Sequence, residues 1–494
     1  MKLLSTIFAV LVFASIAPAQ NTCSTKALPL STKSARVRQL LDQAWDLDLD
    51  QVEQAKAIEV MRQVVKLDPK FAMGHIILSQ ISLDPAEQVR EQKKAHATRK
   101  HASQAEQLVI DWFQDAADHK LIPAITSMNE VLSQYPNDRW VVFLANWWLM
   151  DQTQYERAAE VFENSGLTDS PGLMNNAAYT FAHMRKFEKA FALMDKYVAA
   201  LPKDANPQDS YAEILRLAGH YNEAIEHYRV ALAINPEFYS SAFGIADTYL
   251  LMGDEPRARK EYEMAFKKFA SLPELHRIYW KTREATTFVY EGDLTAADRA
   301  FQSVADYAHE RSLSQVEADT YRQMAMYQPQ ANKALALLTK AEEALHEGKN
   351  ASSTGIQQQF AQLLRERVEL ALRTNDRKAA DSALAQLADL SQSSDDKIIE
   401  SAYHGAVGAV LSSEHKNMEA ISHLEEDADN PRSLKRLATA YQRAGDSQSA
   451  KHTEETLANF NEPSLEQALI VPAFRKCLAN PSCSTSMKAA SMKQ

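Results

Sequence analysis

The chain has 494 residues, of which 45% are hydrophobic and 24% are charged, and it carries a formal net charge of −11. Its 12 glycines fall well below the roughly 7 per cent typical of proteins, which favours a helical chain. A chain this acidic is a poor nucleic-acid binder, because phosphate contacts require clustered lysine and arginine.

The first 19 residues have the pattern of a secretory signal peptide. Lys2 precedes an apolar run from Leu3 to Ile16, and Ala17-Pro18-Ala19 then forms a small-x-small cleavage motif. We expect cleavage near Ala19, a flexible lead over 20–33, and a soluble mature protein that is exported to the periplasm or secreted. No later stretch of the sequence approaches the roughly 20 apolar residues that a membrane span needs. Lipid anchoring at Cys23 is a less favoured alternative.

Residues 34–270 are predicted to form an array of helix pairs. A first pair over 34–67 ends at Asp68-Pro69, whereas the segment 83–104 is charged and its repeat pattern is degenerate. The apolar stretch Trp140 to Met150 follows. Its aromatic cluster, which is either a ligand platform or core between repeats, consists of Trp140, Trp147 and Trp148.

Residues 171–270 carry the clearest pattern, because small and bulky residues recur there every 34 residues. The first-helix positions are Ala178 and Phe181, Ala212 and Leu215, and Ala246 and Tyr249. The second-helix positions are Ala190, Met194 and Tyr197, then Ala224, Tyr228 and Ala231, then Ala258, Tyr262 and Ala265. A small residue lets two helices cross closely, and the bulky one fills the adjoining groove. This period predicts a stacked helical solenoid.

The stretches Tyr211 to Pro236 and Ile245 to Phe266 closely resemble the tetratricopeptide repeat, including the turn glycines Gly219 and Gly253. The resemblance implies an all-α fold, a right-handed solenoid of paired helices.

Beyond Pro273 the register slips by five residues, and residues 271–460 are predicted to continue the array in a more degenerate form. The whole chain would then hold about eleven or twelve helix pairs. Residues 461–483 are predicted to contain a helix, Leu465 to Leu478, that caps the end of the stack, followed by a candidate disulfide between Cys477 and Cys483. Residues 484–494 are expected to be disordered.

The sequence offers no motif for catalysis. It has no phosphate-binding loop, no nucleophile elbow and no helical zinc-binding histidine pair, so we predict no catalytic residue, cofactor or metal. We therefore expect a non-enzymatic scaffold for a protein or peptide in the cell envelope. Two alternatives are an enzyme or enzyme subunit with a site between repeats near residues 87–150, and a purely structural spacer.

The resemblance also places a ligand on the concave inner wall, which the first helices line in this family. The corresponding residues here are Asn175, Tyr179, Asp209, Glu213, Phe243 and Asp247, with His183 and Arg216 nearby. The family's best understood peptide sites use lysine, arginine and asparagine there, and this chain departs from that pattern. An acidic and aromatic wall suits a basic or apolar peptide. The competing interpretation is that these residues are merely solvated.

Overall fold

A computed structural model of the chain describes residues 27–50, 53–118, 120–348, 353–394 and 396–480. The predicted leader over 1–19, residues 20–26 of the predicted flexible lead, Cys483 and the predicted tail over 484–494 lie outside these residues. Cys23 is among the residues outside.

The described residues form 25 α-helices, and no strand occurs among them. The first twelve helices are α1 (Ala35–Trp45), α2 (Gln54–Leu67), α3 (Ala72–Ile81), α4 (Pro85–Thr98), α5 (Gln104–Ala117), α6 (Leu121–Gln134), α7 (Arg139–Asp151), α8 (Tyr155–Ser165), α9 (Pro171–His183), α10 (Phe187–Ala200), α11 (Asn206–Leu217) and α12 (Tyr221–Ile234). The others are α13 (Tyr239–Leu251), α14 (Glu255–Lys268), α15 (Glu274–Glu291), α16 (Leu294–Glu310), α17 (Ser314–Tyr327), α18 (Ala331–Glu347), α19 (Ser353–Arg373), α20 (Arg377–Gln392), α21 (Lys397–Ser413), α22 (Asn417–Glu425), α23 (Pro431–Ala444), α24 (Ser447–Ala458) and α25 (Leu465–Leu478).

The helices from α1 to α24 form twelve pairs, in which each odd-numbered first helix packs on the second helix that follows it. Each second helix then contacts the first helix of the next pair, and through most of the array neighbouring first helices also touch. The first helices therefore form one layer and the second helices another, and the prediction of an all-α repeat solenoid is confirmed.

The 34-residue pattern corresponds to the contacts between helices. Ala190, Ala224 and Ala258 are fully buried at equivalent positions of three second helices. Gly244 on α13 shows why a small residue is needed, since a Cβ atom there would lie 2.5 Å from the Tyr228 ring. The turns within the pairs also repeat, because Arg185, Gly219 and Gly253 all have a positive φ.

The charged segment 83–104 departs from the pattern because buried ions take the place of small residues. Glu87 and Glu91 on α4 are both buried. Glu87 accepts hydrogen bonds from Arg62, and Glu91 Oε2 lies 2.7 Å from His75 Nδ1. These pairs explain why the sequence pattern fails there while the helix pair is retained.

The five-residue slip after Pro273 lengthens helices without breaking the stack. Helices α15 and α16 have 18 and 17 residues, compared with 13 and 14 in α13 and α14. Helix α15 still packs on α14, and α16 still packs on α17. Among the described helices, none combines the length and the apolar character needed to cross a bilayer.

Helix α25 occupies the expected residues, but its contacts are not limited to the end of the stack. It contacts α23 and α24 at the end of the array and also α15, near its middle. Leu465 is buried in a core cluster with residues of α15 to α19. Just before this helix, Asn461 Nδ2 donates to the carbonyl oxygen of Leu217 at 3.0 Å. The C-terminal segment (Thr456 to Leu478) thus contacts both the last repeats and the central ones, and the capping role of α25 stays a prediction.

Candidate functional site

A chain of hydrogen bonds links side chains of successive helix pairs on the first-helix layer. Tyr179 Oη donates to Glu213 Oε2 at 2.8 Å, and Arg216 Nη2 donates to Glu213 Oε1 at 3.0 Å. Arg216 Nη1 donates to Asp247 Oδ2 at 3.3 Å, and Tyr262 Oη donates to Asp247 Oδ1. We call these five residues the polar ladder. It brings together four of the predicted wall residues: Tyr179, Glu213, Arg216 and Asp247.

Most of the acidic side chains near the ladder are buried. Asp247 is 1% exposed and Asp209 is 8% exposed. Burial raises the pKa of Asp247, against the opposing effects of Arg283 and Arg216. Burial also raises the pKa of Asp209 to about 7, although Ser241 Oγ donates a hydrogen bond to this carboxyl at 2.5 Å. The predicted acidic wall is thus largely withdrawn from solvent, and Glu213, whose side chain is 40% exposed, is its main accessible acid.

The prediction that Phe243 lies on the ligand-binding wall is wrong. It is fully buried, with its ring stacked on Trp280 at a centroid distance of 4.7 Å and set edge-on to Phe266 at 4.9 Å. Because its whole surface is covered by neighbouring rings, Phe243 is part of the core and offers no face to a ligand.

His183 and Asn175 lie outside the polar ladder. The His183 ring stacks on Tyr155 at 5.0 Å and lines a separate cavity with Arg185 and Asp429. Asn175 has a buried Oδ1 atom without a hydrogen-bond partner in the described part of the protein. The structure therefore places these two predicted residues near the same layer but in different surroundings.

A cavity of about 450 Å³ lies between α15, α17, α19 and the start of α25. Tyr279 and Leu275 line it and are 47% and 36% exposed. Arg283, another lining residue, donates from Nη2 to Tyr279 Oη at 2.9 Å. We call this space the central cavity.

The central cavity was not predicted from the sequence, although the repeat pattern extends as far as the cavity. The small residue Ala246 corresponds to Ala285 after the five-residue slip. The predicted wall residues lie three residues before and one residue after the small residue of each copy. In the copy around Ala285 these residues are Thr282 and Thr286, and both line the cavity. Only the contribution of α25 had no local signal in the sequence.

Several buried polar atoms of the first helices lack partners within the described part of the chain. Such atoms occur on most of the first helices; those on α9, α11, α15 and α17 are Asn175 Oδ1, Asn176 Nδ2, Arg216 Nε, Tyr290 Oη and Gln315 Nε2. Buried polar groups are nearly always hydrogen-bonded, to ordered water where no protein group is in reach, so these atoms mark polar interior positions of the first-helix layer.

The tryptophan cluster divides between the core and the surface. Trp140 meets Trp45 edge-on at 4.6 Å, and Trp148 meets Trp112 edge-on at 5.6 Å. Trp147 is instead 41% exposed. Two of the three rings are therefore core between repeats.

The remaining candidate features are described only in part. Cys477 is disulfide-bonded, while Cys483 lies outside the described residues, so the pairing of these two cysteines stays a prediction. Within the described ranges, no group of three or more histidine, cysteine, aspartate or glutamate side chains is arranged to hold a metal ion. Near residues 87–150, Glu87 and Glu91 are engaged in ion pairs with Arg62, Arg90 and Lys94.

Paired helices stacked in two layers define a helical-repeat solenoid whose first helices carry the candidate site. Residues 215–279 match the sequence model of the tetratricopeptide repeat family. The resemblance to that family predicted from the sequence is confirmed over these residues, which run from the end of α11 into α15. No curated protein sequence matches it.

Three solved structures illustrate the similarity. A tetratricopeptide repeat protein from Parabacteroides merdae is 14% identical, with 63% of this chain and 100% of that chain covered and a TM-score of 0.35. Yeast Tom70 is 14% identical, with 92% and 100% covered and a TM-score of 0.40. A Rap protein complexed with competence and sporulation factor is 12% identical, with 72% and 98% covered and a TM-score of 0.39. Likeness of this degree carries no information about the ligand of this chain.

Proposed function

We propose that this protein is a non-enzymatic scaffold that binds an extended segment of another protein along the first helices α9 to α17. The observation that carries the proposal is the central cavity, which opens on this layer between α15, α17 and α19. Unpaired polar atoms on the same helices would gain ligand partners only after the side chains that cover them move, because these atoms are buried. A peptide main chain carries donors and acceptors at regular spacing and suits such a surface.

The central cavity supplies the apolar anchor of the proposed site. Tyr279 and Leu275 present exposed apolar surface beside a volume of about 450 Å³. Aromatic side chains in partly enclosed pockets tend to dominate the free energy of peptide binding. Both acids of the polar ladder, Glu213 and Asp247, are paired with Arg216, and Glu213 is the more exposed of the two. We therefore favour a ligand with apolar side chains over a strongly basic one.

A peptide library displayed on phage, selected against the purified protein without residues 1–19, tests this proposal. The affinities of selected peptides are measured by fluorescence polarisation. Tyr279→Ala should weaken binding by roughly tenfold or more, since that factor corresponds to about 1.4 kcal/mol. Gln315→Leu should weaken binding without destabilising the free protein, because it removes an unpaired amide.

The matched control is Leu335→Ala on α18, which removes a side chain that is 52% exposed on a second helix. Peptides that bind equally well to the wild type, Tyr279→Ala and Gln315→Leu would refute the proposed site. Equal loss of affinity in Leu335→Ala would refute it as well.

We also propose that the mature protein acts outside the cytoplasm. The apolar leader with its cleavage motif supports export. The disulfide at Cys477 supports it independently, because such bonds persist in oxidising compartments. N-terminal sequencing of protein recovered from the cell envelope or medium tests the cleavage at Ala19. A retained N-terminus on protein found in the cytoplasm would contradict this proposal.

A further inference from the structure

Two histidines meet between α21 and α22, away from the central cavity. The Nδ1 atoms of His404 on α21 and His423 on α22 lie 2.8 Å apart. Their rings are 4.9 Å apart between centroids, with an angle of 35° between the planes. Both side chains are half-buried, and the contact is a hydrogen bond in which one Nδ1–H donates to the other Nδ1. Both rings must therefore carry their proton on Nε2 before the two Nδ1 atoms can bind one ion.

We propose that His404 and His423 form a binding site for a divalent late transition-metal ion, Cu²⁺ or Ni²⁺ in preference to Zn²⁺. Imidazole nitrogen is a good ligand for all three ions. With metal–nitrogen bonds of roughly 2.0–2.1 Å, nitrogens 2.8 Å apart subtend an angle of about 85–90° at the ion. This is the angle between neighbouring ligands of a square-planar ion, whereas tetrahedral zinc needs about 109°.

The charged groups around the pair favour a cation on balance. Glu426 acts electrostatically on both histidines, Asp427 acts on His404, and Glu419 acts on His423. Lys397 opposes a cation at His404, but its Nζ atom lies 3.3 Å from Glu426 Oε2. Three carboxylates and two cations, Lys397 and the Arg365 that pairs with Asp427, therefore lie around the two imidazoles, which leaves an excess of one negative charge.

The two histidines supply two ligands, and the described residues offer no third histidine, cysteine or carboxylate in a metal-binding group with them. A bound ion would keep its other positions for water or for groups of an incoming molecule. The ligands come from the two helices of one pair, so the ion would also join α21 to α22 and raise the thermal stability of that pair.

Isothermal titration of the untagged, metal-free protein with NiCl₂ tests the site, with Cu²⁺ as a second probe. The variants are His404→Gln and His423→Gln. His452→Gln, at an exposed position on α24, is the matched control. Each site variant should bind at least about tenfold more weakly, since loss of a direct ligand costs no less than loss of a supporting partner. The double variant should bind Ni²⁺ with about the same affinity as either single variant, because one histidine alone does not chelate the ion.

Circular dichroism of the metal-free variants verifies that the fold is retained, and either single variant is sufficient if the other is misfolded. In Cu²⁺ titrations the melting temperature should rise more in the wild type and in His452→Gln than in the site variants. Equal Ni²⁺ affinity in the wild type, both single site variants and His452→Gln would overturn the proposal. Tighter binding of Zn²⁺ than of Ni²⁺ by the wild type would overturn the geometric argument for a square-planar ion.

Discussion

Asn461 is the best point at which to test the attachment of the C-terminal segment to the central repeats. Its Oδ1 atom accepts hydrogen bonds from Tyr221 Oη at 2.7 Å and from Arg475 Nη2 at 2.6 Å. Its Nδ2 atom donates to the carbonyl oxygen of Leu217 at 3.0 Å. The side chain is 5% exposed and joins residues that are more than 200 positions apart in the sequence.

Asn461→Ala removes all three hydrogen bonds. Two neutral bonds contribute about 0.5–1.5 kcal/mol each, and the bond from arginine contributes about 1.5–3 kcal/mol. Since water partly replaces them, we expect the free energy of opening of the segment to fall by about 3 kcal/mol. If α25 opens locally, its amide hydrogens should exchange roughly a hundredfold faster, because each factor of ten corresponds to about 1.4 kcal/mol.

Hydrogen exchange followed by mass spectrometry measures this effect peptide by peptide. Asn459→Ala is the matched control, since the Asn459 side chain is exposed and bonds only to the carbonyl oxygen of Glu455, at 2.9 Å. The acceleration should be confined to peptides that cover α25 and the turn between α11 and α12. Unchanged exchange of α25 in Asn461→Ala, or equal acceleration in Asn459→Ala, would show that the segment does not depend on this contact.

Three further substitutions follow from buried contacts. Gly244→Ala should lower the free energy of unfolding by about 1–3 kcal/mol in urea titrations, because the new methyl group overlaps the Tyr228 ring; no loss would show that the two helices can separate slightly. Asp427→Asn should cost about 3–5 kcal/mol in the same assay, since it leaves Arg365, which is 1% exposed, buried without its counter-charge; a loss below 1 kcal/mol would contradict this. Burial raises the pKa of Asp209 to about 7, so the folded protein holds this proton more tightly than the unfolded chain, and stability declines as the pH rises from about 4 through 7. Asp209→Asn should therefore be more stable than the wild type above pH 7 by a few kcal/mol. If the wild type loses no stability relative to the variant between pH 5 and 8, the predicted direction of the pH dependence is wrong.

The regular part of the fold could be predicted from sequence because its determinants recur at fixed spacing. Ala190, Ala224 and Ala258 mark crossings between neighbouring helices, so a 34-residue period is enough to locate them. The contacts of Asn461 have no such signal, because they depend on how far the whole array turns before its end meets Leu217 and Tyr221. That geometry depends on the cumulative rotation between successive repeats, and no short stretch of sequence encodes the cumulative rotation.

The error at Phe243 has a local cause. The family pattern places this position on the wall, and the two equivalent residues one and two periods earlier are the polar Asp209 and Asn175. When a neighbour covers an exposed aromatic side chain, the free energy of the folded protein falls, because apolar surface is removed from water. Helix α15 supplies Trp280 as that neighbour, where the equivalent residue of α13 is the small Ser241. The tryptophan on the next first helix therefore converts a predicted binding position into core.

The polar ladder shows why residue type at a wall position does not by itself identify a ligand. Asp209, Glu213 and Asp247 together suggest a surface for cations, yet Arg216 neutralises part of their charge and two of the three are buried. A cationic peptide would have to compete with an arginine that is already in place, and it would gain little from a screened, exposed Glu213. An apolar segment has no such competitor, because Tyr279 and Leu275 present exposed apolar surface in the central cavity. The pairing of the charges, more than their number, thus shifts the expected ligand from a basic peptide to an apolar one.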